Sequence, residues 1–310
     1  MTSDSPYSDL DRPPLREPAL NKAVGRPGGL WRRIEVVAET ASTNGDVADA
    51  ARAGAQEGYV RVAEVQSAGR GRLGRTWSAP PRSGLFLSVL LRPSDVPAAR
   101  WGWLPLLVGT AARTAVDAVS GVPVKLKWPN DLIVVDDTPS DAPSGAPSDT
   151  PGTEAAAGGS DPAADAYGAA RKLGGILVER VDTAQGPAAV VGLGLNVSLR
   201  RDELPAPHAT SLVLEGAKAA DRDPLLRALL RELERWYTDW SVTGGDPMAS
   251  GLLSAYAASC ATIGRRVRVE LPAGEPVVGE AVGLDGDGRL LVRTAAGEQA
   301  FGAGDVVHLR

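Results

Sequence analysis

The chain has 310 residues, a formal net charge of -5, 43% hydrophobic residues and a mean hydropathy of -0.09. These values are typical of a globular protein, and the length allows one large domain and one small one. No stretch approaches the roughly 18 apolar residues of a membrane helix, and the N-terminus lacks a secretory signal, so we expect a cytoplasmic protein that does not bind membranes. The single cysteine, Cys260, excludes an internal disulfide and a cysteine-based zinc site.

Two segments differ in composition from the rest of the chain. Residues 1–30 are rich in proline, glycine and charge without a period, which predicts a disordered leader too short for a helix-turn-helix module. Residues 136–170 contain seven acidic side chains, five prolines and neither lysine nor arginine, which predicts a disordered low-complexity insertion. Without this insertion the chain is nearly neutral, which argues against a general nucleic-acid-binding protein.

Between and after these segments, apolar periodicity predicts alternating strands and helices for a larger domain over residues 31–261. The predicted strands are 31–37, 59–66, 84–91, 125–135 with a break at Pro129, 171–180 and 188–197. The predicted helices are 47–55, 104–119 and 224–240. Five short strands separated by Gly-rich turns follow in residues 262–310, and they predict a small β-barrel that packs on the larger domain.

Residues 69–77 combine three glycines, three arginines and a tryptophan, which favours a loop that binds carboxylate or phosphate. Gly69, Gly71 and Gly74 also match the G-x-G-x-x-G pattern of dinucleotide-binding folds. That pattern requires a helix at its last glycine, and the prolines at 80 and 81 prevent one, so we reject it. A flexible basic surface loop remains an alternative. We expect a bound anion to order this loop, because its arginines repel one another.

Four separated elements occur in a fixed order, and each alone is a weak signal. They are Ser42-Thr43-Asn44, then Gln66 with the 69–77 loop, then Lys127-Trp128-Pro129-Asn130-Asp131 with residues 172–176, and last residues 192–196. As an ordered set they resemble the biotin protein ligases, enzymes that use ATP to attach biotin to a lysine of a carboxylase carrier domain. The resemblance covers residues 31–310.

The resemblance implies an α+β fold. The catalytic domain of this family is related to class II aminoacyl-tRNA synthetases, with a mixed, mostly antiparallel sheet, and is followed by a small C-terminal SH3-like β-barrel, here residues 262–310. The alternation of helices and strands alone would also allow a doubly wound sheet, so this choice depends on the resemblance.

The resemblance also implies a two-step reaction. The carboxylate of biotin attacks the α-phosphorus of ATP to give biotinyl-5′-AMP and diphosphate, and a carrier lysine then attacks the mixed anhydride. Arg72 and Lys172 are implied to offset the repulsion between the two anions. Asp131 is implied as a third catalytic residue, facing Mg²⁺ and steering the lysine. The implied partner is the biotin carboxyl carrier domain of acyl-CoA or pyruvate carboxylases.

By the same resemblance, the polar side chains and glycines of these motifs are candidate ligand contacts. The biotin candidates are Ser42, Thr43, Asn44, Gln66, Gly69, Arg70, Gly71, Arg72, Lys172, Gly174, Gly175, Gly192 and Gly194. The ATP candidates are Arg72, Arg75, Trp77, Asn130, Asp131, Lys172 and Asn196. Asp131 is the only candidate for a metal ligand.

Simpler roles stay open for several of these residues. Ser42, Thr43 or Asn44 could serve only as the cap of the following helix, and Trp77 could be a packed hydrophobic residue. Asp131 follows Pro129 and Asn130, which is also turn chemistry. His208 and His308 are not needed for the reaction, and we expect them to be structural or exposed.

Two rival functions also remain. A lipoate ligase would share the fold and the adenylation chemistry, although the Gly-Arg loop and the later Lys-Trp-Pro-Asn-Asp motif favour biotin. A non-catalytic biotin sensor or transcriptional regulator would need a DNA-binding module, and none is recognisable here, so we expect no DNA partner. The 136–170 insertion interrupts a connection that is short in the family, but long loops add only a modest closure entropy.

Overall fold

The computed structural model describes residues 12–136, 167, 169–271 and 274–309. Helix α1 (Glu17–Val24) lies near the start and buries Leu20 and Val24. Its Asn21 side chain donates to the Ile34 carbonyl (2.7 Å) and accepts from the Ile34 amide (3.0 Å), which fixes the helix against the first strand. The predicted disorder of residues 1–30 is therefore wrong from residue 12 onward, and residues 1–11 lie outside the described part.

The larger domain is built on a seven-stranded sheet with the order β1-β2-β5-β9-β8-β7-β6. Its strands, and the short hairpin β3–β4 beside it, are β1 Arg33–Val37, β2 Tyr59–Ala63, β3 Gly69–Arg70, β4 Thr76–Trp77, β5 Gly84–Leu91, β6 Val124–Lys127, β7 Asp131–Val134, β8 Arg171–Thr183 and β9 Gly186–Asn196. Strands β1 and β2 are parallel and all other neighbours are antiparallel. The mixed, mostly antiparallel sheet is confirmed, and the doubly wound alternative is excluded.

Helices cover both faces of this sheet, which explains why β5 is buried along its whole length. The helices are α2 Thr43–Arg52, α3 Leu104–Ser120, α4 Arg222–Val242 and α5 Leu252–Ser259. Leu85, Leu87 and Leu91 of β5 join the core that includes α3 and α4, whereas Leu90 joins a smaller cluster with α2. A strand with apolar residues on both faces requires such a layer on each side. The predictions missed α1 and α5.

The C-terminal residues form a five-stranded antiparallel sheet with the order β13-β12-β11-β10-β14. The strands are β10 Arg266–Glu270, β11 Val277–Leu284, β12 Leu290–Thr294, β13 Gly297–Phe301 and β14 Asp305–His308. Within the described residues β13 does not pair with β14, so the predicted barrel is not closed. Strand β13 buries only Phe301 and remains an edge strand, whereas β14 pairs with β10.

Two indole rings fasten the C-terminal sheet to the larger domain. Trp103 Nε1 donates to the Gly286 carbonyl (2.9 Å) and Trp128 Nε1 donates to the Gly288 carbonyl (3.1 Å), so both hold the turn between β11 and β12. The Trp128 amide also donates to Thr262 Oγ1 (3.1 Å). Because both rings are fully buried, these bonds fix one end of the small sheet beside the large one.

The predicted insertion 136–170 lies outside the described residues over 137–166 and at 168. Its C-terminal end is nevertheless ordered, because Tyr167 and Ala170 are buried against Ile133. The prediction that this segment has no fixed structure is wrong at that end. Among the helices of the described residues, none combines the length and the apolar character that a membrane span requires.

The His308 side chain makes the stability of the C-terminal sheet depend on pH. Burial, with the charges of Lys127 and Arg265, lowers the pKa of His308 to about 3. Thr262 Oγ1 lies 3.0 Å from its Nε2. In the unfolded chain His308 binds a proton near pH 6.5, whereas in the folded protein it stays neutral until a much lower pH. As the pH falls below 6.5, protonation therefore stabilises the unfolded state, and the free energy of unfolding decreases.

Because of His308, we expect the free energy of unfolding to fall by about 2 kcal/mol between pH 7 and pH 5. Unperturbed carboxylates stay ionised over this pH range and should contribute little to the change. Urea unfolding at several pH values measures this dependence. The variant His308→Gln cannot take up the proton and should show a flatter pH dependence. An equal decrease in the wild type and the variant would contradict the assignment.

Candidate active site

A cavity of about 650 Å³ lies between the large sheet and the C-terminal sheet. The helix α2 start, the 69–77 loop, β8, β9 and β14 contribute to its walls. The predicted site residues that line it are Ser42, Thr43, Asn44, Gln66, Arg70, Gly71, Arg72, Arg75, Trp77, Asn130, Asp131, Lys172, Gly175, Gly192, Gly194 and Asn196. The fold therefore brings together motifs that are up to 154 residues apart in the sequence.

Two predicted site residues, Gly69 and Gly174, are not among the cavity-lining residues. A Cβ atom on Gly69 would lie 2.3 Å from the Trp77 carbonyl oxygen across the β3–β4 pair. A Cβ atom on Gly174 would lie 2.8 Å from the Gly194 carbonyl oxygen in the neighbouring strand. Both glycines allow close packing of backbone, and the structure gives no ligand-facing role to either.

Neutral polar side chains form one end of the cavity, at the start of α2. Ser42 Oγ caps this helix by accepting from the Gly45 amide (3.4 Å), so one of the simpler predicted roles is present. The Thr43 amide and hydroxyl both donate to Gln66 Oε1, at 2.8 and 3.1 Å. These bonds fix the orientation of the Gln66 amide inside the cavity.

Asn44 is held by three further groups. Its Nδ2 donates to Glu179 Oε2 (2.7 Å) and to the Leu177 carbonyl (3.3 Å), and its Oδ1 accepts from Ser88 Oγ (2.6 Å). A Cβ atom on Gly192 would lie 2.1 Å from Asn44 Oδ1, so only glycine leaves room for this amide. Sequence analysis missed Ser88, although a lone hydroxyl in an otherwise apolar strand was a usable signal.

The arginines of the 69–77 loop each have an acceptor within the protein. Arg72 Nη1 donates to Asn130 Oδ1 (3.0 Å) and Nη2 to the Gly304 carbonyl (3.4 Å). Arg75 pairs with Asp305 of β14, and Arg70 Nη2 lies 3.5 Å from Glu179. These contacts connect the loop to both sheets, and the ordering of the loop by a bound anion stays a prediction.

Trp77 lies directly over glycine backbone. A Cβ atom on Gly194 would be 2.7 Å from Trp77 Cε2, and a Cβ atom on Gly175 would be 3.3 Å from Cζ3. The indole thus packs on β8 and β9 while it lines the cavity. Asn196 also lines the cavity, but it is buried and its Nδ2 donates to the Thr210 carbonyl (2.9 Å), so its side chain stabilises the cavity wall.

A charged cluster forms the other end of the cavity. Lys172 Nζ lies 2.6 Å from Asp131 Oδ1, and the Tyr167 hydroxyl donates to Asp131 Oδ2 (2.6 Å). Lys127, of which 5% is exposed, places its Nζ 4.8 Å from the centre of the Tyr167 ring. Two lysines and one carboxylate therefore share a poorly hydrated site with a net positive charge.

The pKa values in this cluster follow from burial and from these charges. Burial alone would raise the pKa of Asp131, but Lys172, Lys127 and the hydrogen bonds from Lys172 and Tyr167 hold that pKa below its usual value. Burial lowers the pKa of Lys127, although Asp131 opposes this shift. Burial and the neighbouring Asp131 raise the pKa of Tyr167, which therefore stays a neutral donor.

Sequence analysis missed several residues of this cavity. Lys127 belongs to a motif that was recognised, but no role was predicted for it. Tyr167 lies in the segment predicted to be disordered, and His208, expected to be structural or exposed, stacks on Tyr167 with 4.6 Å between ring centroids. Residues of the C-terminal sheet also line the cavity, namely Arg268, Glu270, Asp305, Val306 and Val307.

The predicted metal role of Asp131 can be compared with its contacts. Mg²⁺ in proteins prefers oxygen ligands and is often held by one or two carboxylates together with substrate phosphates. The described residues contain no group of three His, Cys, Asp or Glu side chains that could hold a metal. Asp131 is engaged by Lys172 and Tyr167, so the site fits an ion that arrives with phosphates and not a resident metal centre.

A cavity with neutral hydrogen-bonding groups at one end and cations at the other could accept a ligand with a polar head and an anionic tail, and the fold around it is of the α+β class. Residues 37–196 match the model of the biotin/lipoate A/B protein ligase family, and residues 262–309 match that of the biotin protein ligase C-terminal domain. The chain therefore belongs to the biotin/lipoate A/B protein ligase family, and the resemblance seen in the sequence is confirmed.

Individual relatives agree with this assignment. The chain is 41% identical over 306 residues to the biotin–[acetyl-CoA-carboxylase] ligase of Mycobacterium tuberculosis, covering 97% of this chain and 98% of the relative. It is 27% identical to the bifunctional ligase/repressor BirA of Bacillus subtilis, covering 86% and 70%. The fold is similar to that of the Aquifex aeolicus biotin protein ligase solved with biotin and ATP, with a TM-score of 0.67, 23% identity and coverage of 90% and 100%.

We expect Asp131→Asn to lower the free energy of unfolding by about 3 kcal/mol, because it leaves two poorly hydrated lysines without their carboxylate. Urea unfolding measures the change. Asp136→Asn is a matched control, since Asp136 pairs with Arg171 while 60% of its side chain is exposed, so this variant should lower stability much less than Asp131→Asn does. Equal effects of the two variants would show that the cluster does not depend on Asp131.

Proposed function

We propose that this chain is an ATP-dependent biotin protein ligase. In this reaction the biotin carboxylate attacks the α-phosphorus of ATP, diphosphate leaves, and a lysine amine of a biotin carboxyl carrier domain then attacks the carbonyl carbon of biotinyl-5′-AMP with loss of AMP. The observation that supports it best is the division of one cavity into a neutral hydrogen-bonding end and a cationic end, in a chain 41% identical to a biotin–[acetyl-CoA-carboxylase] ligase over nearly its full length.

The neutral end is proposed to bind the ureido ring of biotin. Thr43, Asn44 and Gln66 offer hydroxyl and amide groups that match the donors and acceptors of that ring. Ser88 and Glu179 hold Asn44 in place, so its side chain would lose less conformational entropy when biotin binds. Gly192 leaves the space that this arrangement needs.

The cationic end is proposed to hold the biotin carboxylate beside the α-phosphate of ATP. Arg72 and Lys172 can offset the repulsion between these anions, and the same charges stabilise the transition state. Arg72 would exchange its bond to Asn130 for one to substrate. Trp77 offers an aromatic surface for adenine, and Arg75, Asn130 and Asp131 are the further candidates for the nucleotide. Mg²⁺ brought with ATP would neutralise phosphate charge, and Asp131, the carboxylate of the cluster, is the candidate protein ligand for it.

The partners and location are also part of the proposal. The carrier domain of an acetyl-CoA carboxylase is the acceptor suggested by the relative from Mycobacterium tuberculosis. Carrier domains of other acyl-CoA carboxylases or of pyruvate carboxylase are further proposed acceptors. These enzymes and ATP would be met in the cytoplasm. We propose no DNA partner, although one relative is a ligase/repressor.

The reaction is tested by incubating the protein with biotin, Mg²⁺–ATP and a carboxylase carrier domain, and measuring the mass of the carrier. We expect one biotinyl group per carrier, and none on a carrier whose acceptor lysine is replaced by arginine. A parallel reaction with lipoate separates the two activities of this family. Transfer of lipoate in place of biotin, or no transfer at all, would overturn the proposal.

We expect Arg72→Ala and Lys172→Ala to reduce the formation of biotinyl-5′-AMP about a hundredfold each, because each removes a charge that stabilises the transition state. Single-turnover formation of labelled adenylate, without carrier, measures this step. Arg235→Ala, which removes a surface arginine paired with Glu232, is the control and should leave the rate unchanged. A variant that slows only transfer to the carrier would contradict the role of its residue in adenylation.

A further inference from the structure

Tyr167 contacts every charged member of the cavity cluster. Its hydroxyl donates to Asp131 Oδ2 (2.6 Å), and its ring centroid lies 4.8 Å from Lys127 Nζ and 5.8 Å from Lys172 Nζ. The ring also stacks on His208, with 9° between the two planes. A side chain with 6% exposure that contacts two cations and one anion is held firmly in one position.

The hydrogen bond from Tyr167 fixes the orientation of the Asp131 carboxylate that faces Lys172. A carboxylate that rotates about its Cβ–Cγ bond changes the direction of both oxygens, and an ammonium group paired with one of them moves with it. Because the Tyr167 hydroxyl donates to Oδ2, the carboxylate cannot rotate without losing that bond, and Oδ1 stays directed at Lys172 Nζ, 2.6 Å away. The position of Lys172 Nζ in the cavity therefore depends on a hydroxyl group that is not itself charged.

The aromatic ring adds a second effect. Lys127 and Lys172 repel each other, and the repulsion contributes to the lowered pKa of Lys127. A ring face attracts cations, most strongly where water is excluded. The Tyr167 ring thus lets both ammonium groups stay near a single carboxylate.

We propose that Tyr167 is a positioning residue for adenylate formation, acting through Asp131 to place Lys172 beside the reacting carboxylate and phosphate. This inference rests on the proposed biotin ligase function. Tyr167 precedes β8 at the end of the acidic, proline-rich stretch, outside all four motifs, so the resemblance to the family gives it no role. The neutral end of the cavity is held by Ser88 and Glu179 instead, so the contacts proposed for the biotin ring should not depend on Tyr167.

The variant Tyr167→Phe tests this inference, because it keeps the ring and removes only the hydroxyl. We expect the single-turnover rate of biotinyl-5′-AMP formation to fall about tenfold, as expected for losing one hydrogen bond to a charged group. We expect the dissociation constant of biotin, measured without ATP, to change much less than the rate does. Tyr167→Ala, which also removes the ring, should lower the rate further.

Tyr237→Phe is the matched control. The Tyr237 hydroxyl donates to Glu57 Oε1 at 2.6 Å in a buried position outside the cavity, so this variant loses a similar bond without touching the cluster. Its rate should equal that of the wild type. Thermal unfolding of both variants shows whether a loss of stability alone explains a slower reaction.

The outcomes are distinct. A wild-type rate for Tyr167→Phe, or a loss of biotin binding and of thermal stability in proportion to the rate, would overturn the positioning role. Equal slowing by Tyr237→Phe would also overturn it. If the wild type itself forms no biotinyl-5′-AMP, the proposed function fails. If the wild type is active and Tyr167→Phe is equally active, only the positioning role of Tyr167 fails.

Discussion

The arrangement of the cavity depends on one electrostatic constraint. Cationic side chains that are placed together to bind anions repel one another in a poorly hydrated space, so the folded protein needs an anionic group that stabilises them. Asp131 meets this constraint for Lys127 and Lys172, and Tyr167 fixes the geometry of the resulting cluster. A pair of ammonium groups without this carboxylate would lower stability or lose a proton. The charge that remains is available for a substrate, which is why the cluster can serve both stability and chemistry.

The C-terminal sheet is part of the same site. It supplies Asp305 and the Gly304 carbonyl to the arginines of the 69–77 loop, while the indoles of Trp103 and Trp128 hold its far turn on the larger domain. The loop is therefore fixed between two sheets. When substrate oxygens replace these protein acceptors, the arginines exchange one set of hydrogen bonds for another, so anion binding need not bear the whole cost of ordering the loop.

The sequence was most informative where chemistry is concentrated in short motifs. Arg72, Asn130, Asp131 and Lys172 were recognised because their motifs occur in a fixed order, and the fold places them together. Tyr167 was not predicted, because local composition favoured disorder and its hydroxyl bonds to Asp131, 36 positions earlier in the chain. Barrel closure depends on whether β13 meets β14, and strand patterns do not specify that pairing. Helix α1 was missed because two buried residues give little periodic signal.

The central claim is that cations at one end of the cavity, Arg72 among them, bind the biotin carboxylate. The most direct test compares the binding of biotin and of uncharged biotin amide to the wild type and to Arg72→Ala by calorimetric titration. If Arg72 acts on the carboxylate, the variant should bind biotin about tenfold more weakly, the effect of one charge-assisted hydrogen bond. The affinity for the amide should stay within twofold. Equal weakening for both ligands would show that Arg72 shapes the loop and does not bind the anion, and it would contradict the account.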